Sequence, residues 1–444
     1  MFHYPIRFDC GFQTIIVKCR RGVAMKKTVL FLMVCCLLFC ISCAEKPNGR
    51  GCFDLSNAKN LFIGSVGSSK GIGSDFGEVT KDNKVQNVSF DFPVATNLSG
   101  YTALPDRICQ LNEDYILVRF GLPLILVSTS DGYGICLNHI KWDNHSDMAY
   151  IFQDRHALKR QFRIMENGDI YYLGRYLSTK KENFNEMTGF TIMKYDRAEN
   201  KILTFFTYDT GKMRGGSSSD SLLIDSFENL AASSFDGTNN DNSILVAVPQ
   251  NGSPDVRKYS CRFNGSFIGE DGIFYFVSND GYVSIKYDLA NRNAEISDLK
   301  PYTGTSLSYD EYVVINGRVY GLSEYNKVVC ITAIDGTITD VQYINTEMKA
   351  ALDSWDYAGD YIYISGEDLY GNKVIKKINT TDNSVSDVIT DKEIQSFTAS
   401  EEHGITFVTE EGGSYSLWVQ NMLSSIPTML QESTEAFQDL VKVD

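Results

Sequence analysis

One short unit returns along most of this chain, and that repetition limits what it can fold into more than any other feature. Residues 270–296 read EDGIFYFVSNDGYVSIKYDLANRNAEI: a turn, an alternating strand, a tight Asn279-Asp280-Gly281 turn, a second strand, and then another turn near Asn291. The first half recurs as ENGDIYYLGR at 166–175, INGRVYGLSE at 315–324, AGDYIYISGE at 358–367 and EHGITFVTEE at 402–411. In these segments Tyr172, Tyr275, Tyr320, Tyr363 and Phe407 occupy equivalent places, and from Tyr275 onward the steps are 45, 43 and 44 residues. The step of 103 from Tyr172 to Tyr275 leaves room for two units with a degenerate member between them, around 227–250. An earlier member fits 112–140, so the count is seven: 105–155, 156–215, 216–262, 263–307, 308–350, 351–393 and 394–432.

Units of this length with several period-two strands and Gly, Asp or Asn turns mark propeller blades. A four-stranded blade cannot cover both of its faces alone. Stacked in a ring, every blade gains a neighbour and only short edges stay open. No amphipathic run of helical period separates the strands between 100 and 420, which disfavours a parallel α/β fold. The expected fold is therefore all-β, a single β-propeller of seven blades, with six or eight as alternatives, preceded by an N-terminal signal and lipidation segment. The expected boundaries are an upstream stretch 1–24 from a mis-assigned start, a signal peptide 25–42, a tether and extension 43–83, the propeller 84–432, and a tail 433–444. Residues 84–94 are the candidate strand for tying the ring shut. The tail spacing of Met429, Leu430, Phe437, Leu440 and Val441 suits a packed helix or a final outer strand.

The signal reading rests on Met25. From there MKKTVLFLMVCCLLFCISCAEK sets two lysines before an apolar run that is shorter than the ~20 residues of a membrane span. Its end, Phe39-Cys40-Ile41-Ser42-Cys43, resembles the lipobox of bacterial lipoproteins. The resemblance implies that Cys43 receives a diacylglyceryl thioether and becomes the new N-terminus, with Ser42 as the small residue before the cut. Cys40 stands where that family usually has Leu. The implied partner is the membrane, reached through an N-terminal lipid anchor, and the implied location is the bacterial cell envelope, outer membrane rather than inner. Lipid-anchored propellers of outer-membrane assembly are similar in layout, but they carry a recurring Trp and Gly signature. The three tryptophans here, Trp142, Trp355 and Trp418, follow no blade period.

Charge excludes one partner class. A net charge of −15 with no clustered Lys/Arg surface does not suit a phosphate backbone, so nucleic acid is not expected. Cys52, Cys109, Cys136, Cys261 and Cys330 are odd in number and widely spaced, which reads as free thiols in a core. GSVGSSKG lacks the Gly-Lys-Ser/Thr of a phosphate loop, and no GxSxG elbow is present. His139, His145 and His156 are residue types that suit zinc, without a recognised ligand spacing, so a polar loop is the preferred reading and metal the alternative. Asp169, Asp196, Asp271 and Asp288 stand at turns, where a short carboxylate bonds backbone N–H groups. Trp142, Trp355 and Tyr370 lie near turns and are the candidates for stacking on a ligand. No cofactor is implied. The expected function is a membrane-anchored, non-enzymatic propeller that binds or scaffolds a protein or polysaccharide. The alternative is a carbohydrate-active envelope enzyme, hydrolase or lyase, with its site at the central mouth.

Overall fold

The computed structural model describes residues 6–10, 13–17, 50–64, 66, 75–91, 105–120, 124–137, 148–150, 161–177, 187–199, 201–213, 221–235, 242–301, 309–323, 327–349, 354–390, 392–421 and 426–443. The chain divides into two units, Met1–Pro47 and Asn48–Asp444. In the first, Ile6–Cys10 pairs antiparallel with Gln13–Val17.

The second unit is a β-propeller. Its described residues form eight antiparallel sheets of four or more strands. The strands that begin them are Arg107–Gln110, Phe162–Ile164, Ser221–Ile224, Phe263–Ile268, Tyr309–Ile315, Ser354–Ala358, Ile394–Ser400 and, for the eighth, Gln438–Lys442. These first strands touch one another from sheet to sheet, 394–400 against 438–442 and 438–442 against 107–110 among them, so they line the axis of the ring. Each of the seven repeats supplies most of one sheet, although Met148–Tyr150, counted with the first repeat, pairs within the second sheet. The eighth escaped the repeat count because its strands come from distant parts of the chain: Gln438–Lys442, then Ala58–Gly64, Asp75–Thr80 and Val85–Asn87.

That arrangement corrects the expected boundaries, since paired strands lie outside 84–432 on both sides. The segment read as tether supplies Arg50–Phe53 to the outer part of the first sheet, besides two strands of the eighth. Residues 84–94 do not close the ring: Val85–Asn87 is the outermost strand of the eighth sheet, and Phe90–Asp91 pairs with Arg50–Phe53. Closure falls to Gln438–Lys442, a strand where a helix was one expectation. The other, an outer strand near 425–431, is met by Thr428–Ser433.

The core lies between sheets. Tyr172, Tyr275, Tyr320, Tyr363 and Phe407 are all buried, but not on one face. Tyr275, Tyr320 and Tyr363 pack towards the following sheet. Tyr172 and Phe407 pack towards the preceding one, and their neighbours Tyr171 and Val408 take the forward position. Alternation has period two, so a one-residue misalignment reverses the face. The forward tyrosines also tie sheets through their hydroxyls. Gly336 N–H donates to Tyr275 Oη at 2.9 Å, and Tyr320 Oη donates to the Thr380 carbonyl at 2.9 Å, each reaching a turn of the next sheet.

The turn acids behave as read. Asp271 accepts from Ile273 N–H at 3.0 Å, Asp196 from Glu199 N–H at 2.9 Å, and Asp288 from Ala290 N–H at 3.0 Å. Four of the five cysteines are buried free thiols. Cys52 is exposed, because it sits on an outer strand of the first sheet.

Candidate active site at the centre of the ring

The inner strands carry mostly apolar side chains, so the polar ones stand out. Arg163, on the second sheet, donates through Nη1 to the Phe162 carbonyl at 2.6 Å and through Nη2 to Tyr312 Oη at 3.4 Å. Tyr312 belongs to the inner strand of the fifth sheet, and its ring packs edge-on against Phe267 of the fourth, centroids 6.1 Å apart. The third and fourth sheets separate these strands in the ring order. A contact between them therefore crosses the space the inner strands enclose. Two residues before Arg163, Gln161 is 0% exposed, yet neither of its amide atoms has a hydrogen-bond partner. Buried polar atoms without partners are few in native proteins, and each calls for an explanation. The hydroxyls of Ser266 and Ser396, on the inner strands of the fourth and seventh sheets, are in the same condition.

A second polar group closes the ring. Lys442 Nζ donates to the Tyr357 carbonyl at 2.6 Å and to the Ala399 carbonyl at 3.2 Å, and lies 3.6 Å from Asp356 Oδ1. Asp356 Oδ2 accepts from Thr398 Oγ1 and from Ala399 N–H, both at 2.8 Å. One ammonium thus joins the inner strands of the sixth, seventh and eighth sheets. The next junction uses the same device, with Ile108 N–H donating to Asp439 Oδ2 at 3.0 Å. Both carboxylates are occupied in holding strands together, while Arg163 and Tyr312 meet across the centre.

A third network lies between the second and third sheets. Lys194 pairs with Asp169 at 2.8 Å and with Glu228 at 3.3 Å, while Tyr171 Oη donates to Glu228 at 3.0 Å. Burial works to raise Asp169, but Lys194, Arg197 N–H and Asn167 outweigh it and hold the carboxyl below its usual range. Burial pushes the Tyr171 phenol up to about 12. Every member is hydrogen-bonded or ion-paired within the group, as befits a tie between sheets.

The sequence candidates fall elsewhere. Cys43, His139, Trp142, His145 and His156 lie outside the described residues. Trp355 is on the inner strand of the sixth sheet, half-buried against the core it shares with the fifth. Tyr370, 89% exposed, occupies a turn of the same sheet between Tyr361–Glu367 and Lys373–Asn379. Among the described residues, no group of His, Cys, Asp or Glu could hold a metal ion, and no helix is long and apolar enough to cross a membrane. Arg163 and Tyr312 went unseen because 149 residues separate them and neither sits in a motif.

No protein-family model matches the chain, and no curated protein matches it in sequence. Solved structures do. A Bacteroides fragilis protein described as a 6-phosphogluconolactonase is 12% identical, covering 88% of this chain and 99% of that one, with a TM-score of 0.40. Pseudomonas aeruginosa periplasmic gluconolactonase is 11% identical over 76% and 98%, TM-score 0.39. Citrobacter koseri AztD is 11% identical over 87% and 98%, TM-score 0.46. The expectation of a non-enzymatic binding propeller is withdrawn here, as proteins described as lactonases stand among the structural neighbours. At these scores no residue and no substrate passes from them to this chain.

Proposed function

We propose that the chain is a carbohydrate-active enzyme of the bacterial envelope, working in the space its inner strands enclose. Lipid on Cys43 would anchor it to the outer membrane. The observation that carries the reading is the Arg163–Tyr312 contact at 3.4 Å, made across the ring by sheets that are not neighbours. A guanidinium and a phenol meeting there offer a fixed positive charge and a proton-transfer group, the pair needed where charge develops on a reacting oxygen. Rigid sheets hold both, so their geometry is set before substrate arrives.

The test is a turnover screen of the purified chain against oligosaccharides, polysaccharides and sugar lactones, run beside Arg163→Ala. We expect saturable product formation by the parent and a loss of about 100-fold or more in the variant, with the melting temperature of the two alike. Retention of a sugar polymer without any product would sink the reading.

A further inference from the structure

We infer that the turn at Leu369 and Tyr370 is a contact with the bilayer surface, and that its end of the ring faces the membrane. The inference rests on the lipid anchor proposed above and not on the reaction. Among the described residues, Leu369 and Tyr370 are the only sequence neighbours that are both large, apolar and exposed, at 61% and 89%. They stand in the turn between Tyr361–Glu367 and Lys373–Asn379 of the sixth sheet. Asp368 fixes that turn. Its Oδ1 accepts from Tyr370 N–H at 2.9 Å and from Asn372 N–H at 2.8 Å, and its Oδ2 accepts from Asn372 Nδ2 at 3.1 Å. An apolar pair presented on an ordered turn has little backbone freedom left to lose on binding. Leu suits the acyl boundary, and a Tyr ring with its hydroxyl suits the headgroup level.

The course of the chain points to the bilayer as what covers them. Lys442 meets Tyr357 and Ala399 near the ends of the eighth, sixth and seventh inner strands, and Asp439 meets Ile108 near the starts of the eighth and first. These four neighbouring inner strands therefore run in one direction. In each antiparallel sheet, the turn after the second strand returns to the end where the inner strand began, so Leu369 and Tyr370 stand at that end. The fourth strand of the first sheet, Tyr133–Cys136, also runs towards it, and Arg50 pairs with Ile135 near its close. Seven residues of chain lead from Cys43 to Arg50, a reach of ~24 Å at full extension. Lipid on Cys43 thus tethers to the bilayer the same end of the ring that carries the apolar turn. Ile426, 75% exposed between the third and fourth strands of the seventh sheet, lies at the opposite end.

The experiment reconstitutes the full chain with vesicles of brominated phosphatidylcholine and reads fluorescence quenching against the parent, whose own tryptophans set the baseline. Tyr370→Trp adds an indole at the turn, and Ile426→Trp adds one at the other end of the ring. We expect the added emission of Tyr370→Trp to shift to shorter wavelength and to be quenched, and that of Ile426→Trp to change in neither respect. Partition into detergent, read on the same samples, reports the anchor separately. A chain held by the vesicles without quenching at 370 would overturn the bilayer contact and leave the anchor standing. Equal quenching at 370 and 426 would overturn the orientation. A chain that stays in the aqueous phase would overturn anchor and contact together. Emission at 370 that answers to a soluble polysaccharide and not to lipid would make the turn a sugar platform instead. Turnover is read independently of all four results, so the enzymatic reading stands or falls by itself.

Discussion

The seam between the fourth and fifth sheets and the seam that closes the ring do the same job with different material. At the first, both sheets are continuous stretches of chain, and the Tyr275 hydroxyl ties them by accepting from Gly336 N–H and donating to Asp271. At the second, the eighth sheet takes its inner strand from 438–442 and the other three from 58–87. Its ties are charged: Lys442 reaches back over two inner strands, and Asp439 takes Ile108 N–H. A continuous sheet has its strand order set by short turns. A split sheet must find its partner at long range against the entropy of a large loop, and the charged contacts specify where it docks.

Removing the long-range partner should have the largest effect. Ending the chain after Ser433 deletes Phe437, Leu440, Val441 and Val443, all buried. Four such side chains are worth on the order of 10 kcal/mol of burial, comparable with the whole net stability of a typical domain. The truncated chain should aggregate or lose its cooperative melt in calorimetry and size-exclusion runs. A monomer that still melts sharply near the parent temperature would mean the closing seam matters no more than any other.

The contiguous seam should yield less. Tyr275→Phe removes a hydroxyl with two partners and leaves the aromatic core intact, so we expect a loss of about 1–2 kcal/mol in urea unfolding and an unchanged oligomeric state. A loss as large as that of the truncation would erase the distinction between the seams.

The smallest effect is a pH dependence in the eighth sheet. Glu78 is 4% exposed there, and its Oε2 has no hydrogen-bond partner. Burial raises its pKa above 4.5, and the charge of Asp54 adds to the rise, while a bond from Gln86 opposes it. The unfolded chain therefore gives up this proton before the folded chain does. Stability is lost as pH rises from 4.5 through the folded value, and stays lost above it. Glu78→Gln should be slightly more stable than the parent at pH 7, with the gap closing as pH falls below 4.5. A gap that does not vary with pH would assign the effect to something other than this proton.

The seven repeats were legible because a blade is built from local alternation and turns, which leave their period in 105–432. The eighth sheet left none, as its strands are paired across most of the chain. Face assignment failed at Tyr172 and Phe407 for a smaller reason, since period two distinguishes alternate residues but not which neighbour each faces. The centre was the least legible part. Arg163 and Tyr312 meet only because sheets two and five stand across a ring, a relation no spacing encodes. Trp355 and Tyr370, chosen for lying near turns, turned out to be a core-packing residue and an exposed turn residue of one sheet.

The split sheet also sets an order in time. As the chain is made, 58–64 appears early, and its buried Phe62, which packs with Val408, Leu417, Phe437 and Leu440, stays uncovered until the end of the chain arrives. Seven sheets can form in sequence meanwhile, yet Lys442 joins the inner strands of the sixth and seventh only at the end. The ring is thus a clasp whose catch is delivered last, and a nascent chain stalled before that residue would leave the ring unclosed.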